Sequence, residues 1–142
     1  MSESIESTDD QYTELIKRGW VTFRTVAEHI AKVAGELNIM CSSINAIEKD
    51  LIQFRTNIIT QSDVWNKKDV KKVKIPTKMD RRGGSEEQWM CPLGFAESLA
   101  ELYVDSRFSF FEVISTKRKR EEKDAARKAW KHDVLQRLEP DD

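Results

Sequence analysis

YTELIKRGWVTFRTVAEHIAKVAGELNIMCSSINAIEKDLIQFRTNIITQSDVW, residues 12–65, carries apolar side chains at seven-residue intervals from one end to the other. Ile16, Phe23, Ile30, Leu37, Ile44, Leu51, Ile58 and Trp65 form one series. Tyr12, Gly19, Val26, Val33, Met40, Ile47, Phe54 and Gln61 form a second, each member four residues ahead of one in the first. Fourteen of the sixteen positions are apolar or aromatic, with Gly19 and Gln61 the exceptions. In heptad terms the first series is position a and the second is d. Spacing of this kind, sustained over many heptads, predicts a helix that supercoils against other helices.

The first proline is Pro76, so no proline forces a break upstream of it. One helix of about 54 residues would be roughly 80 Å long. Asp9 or Asp10 is placed to cap its start. Gly19 and Gly35 each weaken it by about 1 kcal/mol relative to alanine. Val26, Val33 and Ile47 at d are β-branched, and the e positions are small or apolar through Cys41, which favours three or more helices over a two-stranded rod. The expected oligomer interface is Ile16, Phe23, Val26, Ile30, Val33, Leu37, Met40, Ile44, Ile47, Leu51, Phe54 and Ile58. The alternative is the central helix of a monomeric bundle.

Past Trp65 the helical pattern stops. Residues 67–82 hold eight basic residues against Asp69 and Asp80, a local net charge of +6 in a chain whose overall formal charge is −1. Val70, Val73 and Ile75 alternate with lysines, Arg81-Arg82-Gly83-Gly84 is a turn signal, and Glu86 to Met90 is placed to pair back as a β-hairpin. A basic loop is the alternative. Lys67, Lys68, Lys71, Lys72, Lys74, Arg81, Arg82 and Trp89 are the candidate partner or nucleic-acid contacts, the cations for phosphate and Trp89, with Trp65, for stacking on bases. A solvated loop kept soluble by its lysines explains the same composition.

Pro92 and Gly94 punctuate the chain, and a second helix is expected over 94–138. Its first half is dense in aromatics. Its second half is charged, with four bases at 117–120 and a narrow apolar line of Trp130, Val134 and Leu138. The bases at 117–120 are a second candidate nucleic-acid contact, or a solvated helix face. The expected fold is therefore all-α: two long helices forming a helical hairpin or coiled-coil bundle, with a β-hairpin as one option between them. The expected organisation is a disordered acidic N-terminus (1–9), a coiled-coil oligomerisation helix (10–66), a basic linker or hairpin (67–93), the second helix (94–138) and an acidic tail (139–142).

Chemistry-bearing motifs are sparse. His29 and His132 lie far apart, and Cys41 and Cys91 have neither disulfide-framework nor zinc spacing. Glu97 and Glu101 lack the following histidine of a di-iron helix. No catalytic residue, cofactor or metal is expected, and no membrane span. Charged residues at 35% against 39% hydrophobic suit exposed helices with one buried stripe. These features predict a non-enzymatic scaffold or adaptor in a reducing intracellular compartment, cytoplasmic or nuclear, assembling with itself or with other protein subunits. A nucleic-acid-binding regulator using 67–82 and 117–120 is the alternative.

Overall fold

The computed structural model describes residues 11–76, 85–107 and 120–138. The predicted 54-residue helix is not a single element. It divides into a short helix α1 (residues 11–17), strand β1 (Val21–Thr22), helix α2 (Phe23–Glu36) and helix α3 (Ile44–Gln61). A 3-10 turn (Lys67–Asp69), strands β2 (Lys71–Pro76) and β3 (Ser85–Cys91), and helices α4 (Leu93–Arg107) and α5 (Arg120–Leu138) follow. The expected termini, Arg81, Arg82 and the bases at 117–119 lie outside the described residues.

Both breaks have the same local cause. After α1, Gly19 takes a left-handed conformation (φ 86°). The Trp20 N–H then donates to the Leu15 carbonyl at 2.9 Å and the Gly19 N–H to Ile16 at 3.0 Å. After α2, Asn38 does the same at φ 60°, with Ile39 N–H on Ala34 at 2.8 Å and Asn38 N–H on Gly35 at 3.2 Å. Each is a Schellman stop, in which the freed carbonyls of the last turn are satisfied by reversed N–H groups. Each stop is followed by a start. The Thr22 hydroxyl accepts from the Thr25 N–H at 3.1 Å, and the Ser43 hydroxyl from the Ala46 N–H at 3.3 Å, both as N-caps.

Because the chain turns, the heptad series meets itself. Phe23, Val26, Ile30 and Val33 of α2 and Ile47 and Leu51 of α3 are fully buried in one core, as are Phe95, Leu99 and Tyr103 of α4 and Trp130 and Val134 of α5. The first six were expected in an intermolecular seam, and they pack instead against their own chain. Leu37, Ile44, Phe54 and Ile58 are half-buried around the same core. Ile16 and Met40 are 44% and 58% exposed and lie outside that core. Enclosing a side chain of this size contributes about 1.5–3 kcal/mol, which favours the doubled-back chain over a lone rod with a wet stripe.

The second long helix is likewise corrected. Asp105 near the end of α4 accepts from Arg127 of α5 at 2.6 Å and pairs with Lys131 at 3.0 Å. On one straight helix those residues would stand roughly 33 Å apart at about 1.5 Å per residue, so α4 and α5 are two helices side by side. The apolar line of α5 docks as its spacing implied. Trp130 donates its indole N–H to the Ile30 carbonyl at 3.0 Å and meets the Tyr103 ring edge-on at 6.3 Å. Helix α4 returns antiparallel to α3: Asp50 pairs with Arg107 at 3.2 Å, while at the other end Trp65 packs edge-on against Phe95 at 5.7 Å. Gly94 lets the ring sit close, since a Cβ there would stand 3.1 Å from the Trp65 ring and the ring would have to shift slightly.

The fold is mostly helical but not all-α. The three strands form an antiparallel sheet in the order β1-β3-β2, and Lys72 faces Trp89 across the hairpin. Val70 and Cys91 join the main helical core. Val73 and Met90 form a smaller core on the other face with Leu15 of α1, edged by Tyr12 and Trp20. Strand β1 fills one side of β3, which leaves β2 as an edge strand.

Candidate nucleic-acid interface

The open edge of the sheet is basic. Lys67 and Lys68 lie in the 3-10 turn and are exposed, and Lys72 and Lys74 are exposed on β2. Lys71 is half-buried, its ammonium 5.8 Å from the Trp20 ring. The hairpin thus joins the five described lysines that the sequence marked, on one turn-and-strand unit. The nearby Asp69 is held in a local role: its carboxylate accepts from the Asn66 N–H at 2.9 Å while the Asn66 side chain accepts from Lys68 N–H at 2.8 Å. That capping box fixes the turn and directs the carboxylate back into it. Glu87, paired in register with Lys74, and Glu86, paired with Ile75, are the acidic residues of β3.

Trp89 sits in the middle of this surface but is not a bare stacking platform. Arg55 of α3 lies with its guanidinium 4.0 Å from the Trp89 ring centroid. The same Arg55 donates to the Ile52 carbonyl of its own helix. Lys72 stands 6.0 Å from the ring, and Phe23 lies 6.4 Å away inside the core. Stacking and hydrogen bonding hold Arg55 in place, and a held guanidinium presents its remaining donors as a fixed fork. The sequence reading missed Arg55, which was one of several flanking positions on a heptad helix. Its signal was the spacing of Arg55, Thr56, Ile59 and Thr60, which share one face of α3. Trp65, half-buried like Trp89, is packed against Phe95 and Gly94.

The titratable groups elsewhere do not converge. Burial lowers the pKa of His29, helped by the nearby Arg137. His132 is exposed beside Asp133 at 3.3 Å. Burial raises the Cys91 and Cys41 thiols, so neither is a ready thiolate. Burial, with Cys41 and Asp50 nearby, pushes the Tyr103 phenol up to about 12. Among the described residues no three His, Cys, Asp or Glu side chains gather to hold a metal ion. No described helix is long and apolar enough to cross a membrane. Set against known proteins, the chain matches no family model, no curated protein and no solved structure at a significant level.

Proposed function

We propose that the chain is a non-enzymatic adaptor whose partner-binding surface is the basic sheet edge, and that the partner it takes there is nucleic acid. The observation that carries this reading is the gathering of exposed Lys67, Lys68, Lys72 and Lys74 on one turn-and-strand unit, with Arg55 added from α3; Lys71 lies on the opposite face of β2, over Trp20. Phosphate binding needs closely spaced cations on a fixed frame, and neutralising phosphates releases counterions. Fluorescence anisotropy of a labelled single-stranded oligonucleotide across a salt series tests the reading. Affinity should fall steeply as salt rises, with a log–log slope of about −0.7 for each phosphate neutralised. Replacing Lys72 and Lys74 by glutamine should flatten that slope by about one to two units. Absence of binding at low salt, or binding indifferent to salt, rejects it.

A second reading, a scaffold subunit that assembles protein partners, draws support from the exposure of Ile16 at 44%, Met40 at 58% and Val64 at 73%. Its assembly surface would be these outlying positions and not the buried heptad series. Replacing all three by serine should then abolish association with the partner subunits while leaving the fold intact. Unchanged association rejects this reading.

A further inference from the structure

Between the second half of α3, the 3-10 turn and β3 lies a pocket of about 420 Å³. Its polar wall is Arg55, Thr56 and Thr60 from α3 with Lys67 from the turn, and its apolar wall is Ile59, Val70 and Trp89. None of these lining residues is acidic. Arg55 is already oriented by Trp89 and by the Ile52 carbonyl. Of its five N–H donors, those not used on Ile52 are available as a fork that matches two phosphate oxygens. Thr56 and Thr60 are one helical turn apart and line the same pocket as Arg55. Lys67 lines the same pocket from the 3-10 turn.

A bare phosphate would use the polar wall alone and leave the apolar wall wet. The volume falls in the range of small-molecule sites, which combine apolar lining with a few placed polar groups. We propose that this pocket binds a nucleoside monophosphate group, free or at the end of a strand. The phosphoryl oxygens lie on Arg55, Lys67 and the threonine hydroxyls, and the base lies against Ile59, Val70 and Trp89. The choice of a nucleotide over other organic phosphates rests on the nucleic-acid reading of the adjoining lysine edge. The pocket makes that edge a surface with a defined terminus.

Calorimetric titration of the full chain separates the two ideas. The probes are adenosine monophosphate and a single-stranded hexamer ending in phosphate or in hydroxyl. Saturable binding of adenosine monophosphate identifies a free-nucleotide site, and tighter binding of the phosphate-ended hexamer identifies a strand-end site; either supports the pocket. Thr56, Thr60 and Lys67 are all solvent-exposed, so the double variant Thr56→Ala/Thr60→Ala and the variant Lys67→Gln should fold normally. Each should weaken that binding by about tenfold, the usual effect of losing a charge-assisted hydrogen bond. If adenosine monophosphate binds while neither hexamer does, the pocket stands and the edge reading falls. The pocket is overturned if the hexamer binds without regard to its end and adenosine monophosphate does not saturate. It is also overturned if binding persists unchanged in the variants.

Discussion

Helix α2 and strand β2 treat the solvent in opposite ways. Of the fourteen residues of α2, six are enclosed by the rest of the chain. In β2 Val73 alone of the described side chains is buried, and the strand's other flank carries lysines into water at the sheet edge. Apolar surface is thus closed within one chain, whereas charge and unpaired backbone are left outside. The same lysines also keep the open strand from pairing with a neighbouring molecule's strand. Such an edge fits the proposed polyanion partner better than a pairing strand.

If that contrast is right, damage should be large inside and small at the edge. Trp130→Ala removes a fully buried ring, its hydrogen bond to Ile30 and its edge contact with Tyr103. It should cost about 3–5 kcal/mol by urea denaturation, enough to unfold a chain of ordinary stability. In the same assay Lys72→Gln and Lys74→Gln should stay within about 0.5 kcal/mol. An equal loss in both regions would break the comparison.

Next in size come the two turns that fold the stripe inward. Gly19→Ala and Asn38→Ala each put an alanine at positive φ. Each should destabilise by roughly 1–2 kcal/mol, read as a lowered denaturation midpoint. A stabilised, more helical product would mean that the chain prefers the straight rod.

The smallest effect is a pH dependence at His29. Its folded pKa lies below the ordinary 6.5, chiefly through burial. The unfolded chain therefore takes up the proton first. Stability should be flat above that value and should decline as pH falls below 6.5 towards the folded pKa. His29→Gln should reduce the slope in that window. Proton NMR should place the native His29 midpoint below the ordinary 6.5, and a higher midpoint would reverse the sign.

The sequence disclosed the parts whose signals are local. The alternation of Val73 and Ile75 with lysines and the line of Trp130, Val134 and Leu138 reappear as strand pairing and docking stripe, while the turn signal at 81–84 lies outside the described residues. The long helix misled for a physical reason. A straight helix drifts only about 20° per heptad from a 3.5 repeat. Over α2 or α3, about two heptads each, that drift stays inside an apolar stripe roughly 100° wide. Two short amphipathic helices in matching phase therefore look like one coiled-coil strand. The discriminating signals were the stop–start pairs Gly19 with Thr22 and Asn38 with Ser43, which the regular spacing masked. The proposed binding face was half legible. The lysines are contiguous in sequence, whereas Arg55 reaches Trp89 only because the fold brings α3 beside β3.

The central claim is that the heptad stripe is closed inside a single chain. Sedimentation velocity of the intact protein tests it most directly. The fold predicts a compact species with the mass of one chain, 16.5 kDa. An elongated species of two or more copies, shaped by a helix roughly 80 Å long, would contradict it.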